Sequence, residues 1–391
     1  MDYQAERMKT IPMSQIRKIF EMANRLEAEG KRVIHLEIGR PDFDTPVHIK
    51  EAAKKALDEG KVMYTSNWGL PELRDAIADK MAREHNIKAD PETEIIVTIG
   101  ANEASFISMM GVLNPGDEVL LPDPAWPHYR YCIEMAGANP VFVPLREERA
   151  FELDPQDVQD RLTSRSRMLI VTTPHNPTGA VIGSDTLAEL ARIAIEHDLI
   201  VISDEIYEKM IYDGAQHTSL ASLPGMWERT FTINGFSKAY AMTGWRLGYL
   251  VANQKLISAA KRVHQYTVTC ANSFAQYGAV AALTGPQTSV EKMVAEFDRR
   301  RRLIVGGLES IGAFGCARPR GAFYLFPSVK ALKLSSEAFV ELLLTRAHVA
   351  AVPGSVLGVY GEGYIRFAYS TSYEDIEEGL DRIKRTVEQL N

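Results

Sequence analysis

Four stretches of this chain place polar residues directly after apolar runs, where ligands meet the ends of strands. In Thr232-Ile233-Asn234-Gly235-Phe236-Ser237-Lys238, a lysine sits among aromatic and small residues rather than on a charged face. Lost solvation lowers a lysine pKa, and a neutral amine attacks carbonyls. A fixed cation, Arg246, closes the following Ala241-Met242-Thr243-Gly244-Trp245-Arg246. An isolated lysine is most often solvated surface charge, but Met242, Trp245 and the glycines weigh against that here. In Ile202-Ser203-Asp204-Glu205-Ile206-Tyr207 an apolar run ends in an acidic pair. Ser203 or Asp204 could cap a helix there, or a carboxylate could face a ligand.

In Ile99-Gly100-Ala101-Asn102, a small-residue turn enters a helix whose free amides can seat an anion; the glycine could equally serve only as a turn. Thr172-Thr173-Pro174-His175-Asn176-Pro177-Thr178-Gly179 reads as a rigid polar loop. His175 has no His or Cys partner at ligand spacing and reads as structural. Together these stretches offer an amine nucleophile, a carboxylate, an anion seat with an arginine, and a polar loop. Pyridoxal phosphate needs such a set: a Schiff-base lysine, an acid for its ring nitrogen, and a phosphate site.

The elements that must position these groups alternate between strand and helix. Strands are expected over Val33–Gly39, Glu94–Gly100, Glu118–Pro122, Pro140–Leu145, Met168–Thr173, Leu199–Ser203, Thr230–Gly235 and Gly248–Ala252. Continuous apolar runs such as Leu199-Ile200-Val201-Ile202 suit strands buried on both faces. Helices are expected over Leu70–His85 and Thr186–His197. This is an α/β pattern: a large domain with a mostly parallel sheet flanked by helices. After about Thr284 the pattern shifts to a long polar helix and short strands over Ala322–Phe326, Val349–Val352 and Tyr364–Ala368. A smaller α+β domain built from both chain ends is expected. The resulting division is residues 1–43 (arm and part of the small domain), 44–284 (cofactor-binding domain) and 285–391. Arg299–Arg302 spread around all faces of their helix and read as solvated, salt-bridged charge.

Composition narrows the function. Among 391 residues, 44 Lys+Arg against 51 Asp+Glu give a net charge of -7, which argues against nucleic acid or anionic membranes as partners. The 3 cysteines are far apart and odd in number, so no disulfide framework follows. No stretch approaches the ~18 apolar residues of a membrane span. Met1 to Arg7 lack the basic start and apolar run of a leader, so a cytoplasmic location is expected. No phosphate loop or Gly-x-Gly-x-x-Gly turn is present.

At the quoted motifs the chain resembles the class I/II aminotransferases of pyridoxal-phosphate fold type I, within them the microbial branch of aspartate and aromatic amino-acid aminotransferases. The resemblance runs from Ile11-Pro12 to the C-terminal helix. It is most specific at Ser237-Lys238 with Ala241 to Arg246, at Asn176-Pro177-Thr178-Gly179 and at Ser203 to Tyr207. It implies that Lys238 binds the cofactor aldehyde and shuttles the proton, with Asp204 and Tyr207 completing the catalytic set. Asp204 pairs with the ring nitrogen, while Tyr207 and Asn176 hold the phenolic oxygen. Arg246, Ser237 and the turn Gly100, Ala101, Asn102 hold the phosphate, and Trp126 stacks on the ring. Arg366, with Asn176 and the Gly39 amide, clamps the substrate carboxylate. Tyr64 reaches the phosphate of the other subunit, so a homodimer with shared active sites is implied. The implied substrates are an L-amino acid, aromatic or aspartate favoured, and a 2-oxo acid such as 2-oxoglutarate, used in ping-pong fashion.

This sequence departs from the family at three positions. Arg40 stands where many relatives carry an acid or amide. Asn102 replaces a lysine that some relatives acting on acidic substrates carry; Arg40 either takes over that task or is a surface residue. Gly235 stands where some relatives have a phosphate-binding serine, for which Ser237 can compensate. Trp126, Trp68, Tyr64 and Phe323 are expected to make the site aromatic. The same scaffold can also run β-elimination, racemisation or decarboxylation, and a non-catalytic regulatory module is a further alternative.

Overall fold

A computed structural model describes residues 3–390, so the first two residues of the 1–43 segment and the last of the 285–391 segment lie outside it. Twelve strands form in chain order: β1 (Ile34–His35), β2 (Ile95–Thr98), β3 (Glu118–Asp123), β4 (Asn139–Pro144), β5 (Ser166–Thr172), β6 (Ile200–Asp204), β7 (Thr230–Gly235), β8 (Gly248–Val251), β9 (Tyr324–Leu325), β10 (Val349–Ala350), β11 (Val352–Pro353) and β12 (Ile365–Ala368). Seven of them make one sheet in the order β2-β8-β7-β6-β5-β3-β4. Every residue of β2, β3, β6, β7 and β8 is buried, as expected of strands covered on both faces, and apolar runs such as Val119 to Leu121 and Ile200 to Ile202 fit that burial. All pairings are parallel except those of β8, which runs against β2 and β7.

Strand alternation sends successive residues to opposite helical layers. Ile95 and Val97 of β2, with Tyr249 and Val251 of β8, pack with Ile49 of α2 (Val47–Asp58, which follows α1, Gln15–Ala28) and with Leu73 and Ile77 of α3 (Pro71–His85). Ile96 and Leu250 face the other layer, with Ile107 of α4 (Gly100–Val112) and Ile133 of α5 (His128–Met135). α3 opens on Pro71 and stops where Asn86 turns left-handed, at φ 56°.

Three expected strands are shorter or broken. Val33–Gly39 holds only β1, which pairs in parallel with β10 and so joins residues near the two chain ends. Beyond it the chain still ties to neighbours, through Leu36 N–H to the Ala350 carbonyl and Ala368 N–H to the Leu36 carbonyl, and then turns toward the site. Val349–Val352 divides at Ala351: β10 serves β1, while β11 pairs with β12. Ala322–Phe326 is reduced to β9, which pairs with the other edge of β12. Phe297, Phe323, Phe339 and Phe367 fill the core of this second region, and Ile206 and Tyr207 from the turn after β6 pack into the same core.

The arginine run sits in the helix Thr288–Ile311, and only half of it is solvated. Arg299 and Arg302 are exposed, but Arg300 and Arg301 are buried. At 100° per residue, a run of four must turn part of itself inward. Arg300 reaches Asp42 at 2.7 Å, and Arg301 reaches Asp213 at 2.7 Å and the Pro319 carbonyl at 2.9 Å. These two side chains tie the long helix to the loops after β1 and β6. We expect Arg301→Ala to lower the urea-unfolding free energy of the whole chain by about 1–3 kcal/mol, because it leaves the buried Pro319 carbonyl and the partly buried Asp298 without their partner. Arg302→Ala should stay within about 0.5 kcal/mol. Equal losses would show that burial plays no part.

Candidate active site

The site lies along one edge of the seven-stranded sheet, outside the carboxyl ends of its parallel strands. β5 leads to Asn176, β6 ends in Asp204, β7 leads to Ser237 and Lys238, and β3 leads to Trp126. β8 runs the other way, so Arg246, two residues before its start, comes to the same edge. β2 delivers the turn into α4. Gly100 there has φ +73°, and an added Cβ would stand 2.5 Å from Arg246 Nη2. The glycine therefore lets the guanidinium lie against the open amide end of the helix. Arg366 enters from β12, across a cavity of about 590 Å³.

Gly39, Ala101, Asn102, Trp126, Asn176, Asp204, Tyr207, Ser237, Lys238, Arg246 and Arg366 all line this cavity. Gly100 lies behind the lining and acts through the turn it permits. Tyr64 is 89% exposed and is not brought to the cavity of its own chain. The expected aromatic lining is corrected in part. Trp126 is present, but Trp68 stacks under Lys261 Nζ at 3.8 Å, and Phe323 is buried behind the lining, its ring centroid 5.6 Å from Lys238 Nζ. The aromatic walls come instead from Phe20, Tyr129, Tyr207 and Tyr324.

The charges here are held away from water. Lys238 Nζ donates to the Gly39 carbonyl at 2.6 Å. Burial, reinforced by Arg366 and Arg246, lowers its pKa from the ordinary 10.5 to about 8. Asp204 Oδ1 accepts the Ile206 N–H at 3.1 Å, and its Oδ2 accepts the Tyr129 hydroxyl. Burial raises the Asp204 carboxyl to about 6 despite those bonds. Arg366 is fully buried, yet its bonds go to uncharged oxygens: Asn176 Oδ1 at 3.1 Å and the Glu37 carbonyl at 2.7 Å. Its Nε has no partner among the described residues. A buried guanidinium so placed is a seat for a carboxylate. Tyr207 and Tyr324 share a hydroxyl–hydroxyl bond of 2.9 Å. His175 stays in its loop, bonded to Thr178 at 2.9 Å, and burial depresses it to about 3.

Tyr129, Tyr324, Glu37 and the start of α1 are the parts of the site that sequence reading missed. Tyr129 does follow Trp126 by one helical turn, which was a usable signal. Nothing in the sequence, however, pairs position 129 with 204 or 324 with 207.

Residues 31–383 match the family described as aminotransferase class I and II. The chain is 47% identical over 387 residues to an aspartate aminotransferase of Pyrococcus abyssi, covering 98% of each chain. It is 44% identical to an aromatic-amino-acid aminotransferase of Thermococcus litoralis, again covering 98% of each. A crystal structure of an aromatic aminotransferase from Pyrococcus horikoshii superposes with a TM-score of 0.90 at 48% identity, over 94% of this chain and 99% of that one. The chain belongs to the class I and II aminotransferases, a family that moves amino groups with pyridoxal phosphate.

The residues present fit that cofactor. A buried carboxylate with no cation bonded to it suits a protonated ring nitrogen, a depressed lysine suits an aldehyde, and Arg246 at the open end of α4 suits a phosphate.

The depressed Lys238 sets a stability trend with a definite sign. Its folded pKa lies below its unfolded one, so it opposes folding fully below pH 8 and is relieved as pH rises toward 10.5. Lys238→Met should therefore stabilise the cofactor-free protein at pH 7 by roughly 1–3 kcal/mol. The gain should shrink toward pH 10, as read by urea unfolding across that range. A gain that does not vary with pH would contradict the burial of a charged amine.

Proposed function

We propose that the chain transfers the amino group of an L-amino acid, aspartate or an aromatic one, to a 2-oxo acid such as 2-oxoglutarate, with Lys238 as its catalytic base. Bound pyridoxal phosphate supplies the aldehyde that takes the amino group and the ring that accepts electrons released at Cα. The observation that carries this reading is the pair of buried cations in one cavity, Lys238 depressed to about 8 and Arg366 without an acid partner.

The roles follow from position. Asp204 would pair with the ring nitrogen and keep a proton on it, with Tyr129 fixing the carboxylate. Tyr207 and Asn176 would hold the phenolic oxygen. Arg246, Ser237 and the amides of Ala101 and Asn102 would hold the phosphate, and Trp126 would cover the ring face. Arg366 would grip the substrate α-carboxylate through two parallel N–H bonds, assisted by Asn176 and the Gly39 amide. That grip fixes Cα beside Lys238, whose neutral amine can take the Cα proton near pH 8 and return it to the neighbouring carbon. The aromatic walls exclude water from the exchange.

The exposed Tyr64 supports a homodimer in which each copy lends this side chain to the phosphate site of the other. We also read the chain as a large domain over 44–284 and a smaller one from 1–43 and 285–391, a division that the β1–β10 pairing supports. Among the described residues no helix is long and apolar enough to cross a membrane, which accords with the cytoplasmic location we propose.

Single amino acids added to the yellow holoenzyme test the reading. Aspartate, glutamate, phenylalanine or tyrosine should bleach the absorbance, and a 2-oxo acid should restore it. Lys238→Ala should lose at least about 10³-fold in turnover, as expected of a lost general base, and Arg366→Gln should raise KM about tenfold or more, as expected of a lost charge-assisted clamp. Near-normal turnover by Lys238→Ala would sink the assignment. Release of pyruvate and ammonia without any acceptor would replace it with a lyase.

A further inference from the structure

We propose that His85, Glu205, Glu208 and His217 form a site for zinc or a similar divalent cation, apart from the cavity that holds the chemistry. One donor atom of each lies within 4.8 Å of those of the other three. The ligands come from two parts of the chain: His85 ends α3, while Glu205, Glu208 and His217 follow β6. None of the four side chains is more than 6% exposed, and none lines the active-site cavity.

Each carboxylate has one oxygen committed and the other turned toward a histidine. Glu205 Oε1 accepts the Ser203 hydroxyl at 2.8 Å and the Ser219 hydroxyl at 2.7 Å. Its Oε2 faces His217 Nε2, 3.1 Å away. Glu208 Oε1 takes Lys80 Nζ at 2.6 Å, and its Oε2 stands 2.6 Å from His85 Nε2. That last approach lacks the geometry of a hydrogen bond. Glu208 Oε2 has no hydrogen-bond partner among the described residues, and neither has His217 Nδ1. Buried polar atoms are rarely left this way unless something else completes them. Outer partners that hold one oxygen of a carboxylate and aim the other are also how proteins orient metal ligands.

The charges point the same way. The buried carboxylates of Glu205 and Glu208 face one buried ammonium, that of Lys80. Glu84 is matched separately, by Lys209 at 2.6 Å and Arg83 at 3.1 Å. The buried group therefore lacks a positive charge, which either a proton on a histidine or a metal ion supplies. Lys80 Nζ also lies 3.1 Å from His85 Nε2. A metal would take that lone pair and leave the lysine with Glu208 Oε1 and, at 3.5 Å, Glu84. Two imidazoles with two carboxylates suit zinc, whereas magnesium and calcium prefer oxygen shells. A cation here would pin the end of α3 to the segment that directly follows Asp204 and carries Tyr207, so its role is structural.

The test strips the holoenzyme with EDTA, adds zinc and desalts. Wild type should keep about one zinc per chain, as a closed structural site does. Cobalt in place of zinc should show the intense visible bands of a four-coordinate site. Zinc at roughly a hundredfold excess over its Kd should raise Tm by at least about 2 °C. His85→Gln and His217→Gln should each weaken zinc binding about 100-fold or more, beyond the loss typical of an outer partner. Substituting the exposed His197 by Gln should leave binding unchanged. A wild type that emerges from desalting without zinc would overturn the proposal. So would the pale spectrum of six-coordinate cobalt, or equal losses in the His197 and His85 variants. If a ligand variant fails to fold, the zinc content and cobalt spectrum of the wild type decide alone. Amino-group transfer enters none of these readouts, so failure here leaves the aminotransferase reading intact.

Discussion

The structure depends on keeping a few charges out of water without neutralising them. Lys238 is pushed down to about 8 and Asp204 up to about 6 by the same burial. Arg366 is fully buried on neutral oxygens. None of these is a comfortable state for a folded chain, and each is tolerated because the surrounding framework over-determines it. The sheet beneath is buried on both faces, and the second region packs its phenylalanines against the turn that follows Asp204. Stability is thus concentrated in the layers, leaving the edge free to hold groups that oppose folding but suit a ligand.

One reversed strand organises that edge. If β8 ran parallel to β7, Arg246 would emerge at the far end of the sheet. Because β8 returns antiparallel, the segment between β7 and β8 carries both Lys238 and Arg246 at the same edge. The β7–β8 connection therefore supplies an amine and a guanidinium within one short excursion of the chain. The arginine is then aimed by the left-handed turns at Gly100 (φ +73°) and at Arg246 itself (φ +53°). Arg366 comes from β12, which is tied to the segment just after β1 by the Ala368 N–H to the Leu36 carbonyl and by Arg366 itself to the Glu37 carbonyl, so the substrate seat is complete only when residues near both chain ends have met.

Much of this was legible in the sequence, for physical reasons. Continuous apolar runs mark strands covered on both sides, and all seven strands in the main sheet begin and end within two residues of expectation. Polar residues placed just past those runs must lie at a sheet edge, which is why Lys238, Asp204 and Asn176 could be found without coordinates. The small strands were less legible because two-residue pairings leave no periodicity to read. Val349–Val352 looks like one strand and is two, since the break at Ala351 reflects which partners lie on either side. Arg299–Arg302 read as solvated because helical geometry says that some must face inward but not what will meet them. The pairings of Tyr129 and Tyr324 could not be read for the same reason: each acts through a partner more than seventy residues away.

The two kinds of arginine at the site illustrate a division of labour that burial imposes. A buried guanidinium such as Arg366 is rigid and demands an anion, so it suits the α-carboxylate that every amino acid presents. An exposed guanidinium loses little when its partner is absent, because water replaces it. The guanidinium groups of Arg17 and Arg40 stand at the same cavity with no hydrogen-bond or ion-pair partner among the described residues. On this reading the part common to all amino-acid substrates is held by the group that the fold strains to bury.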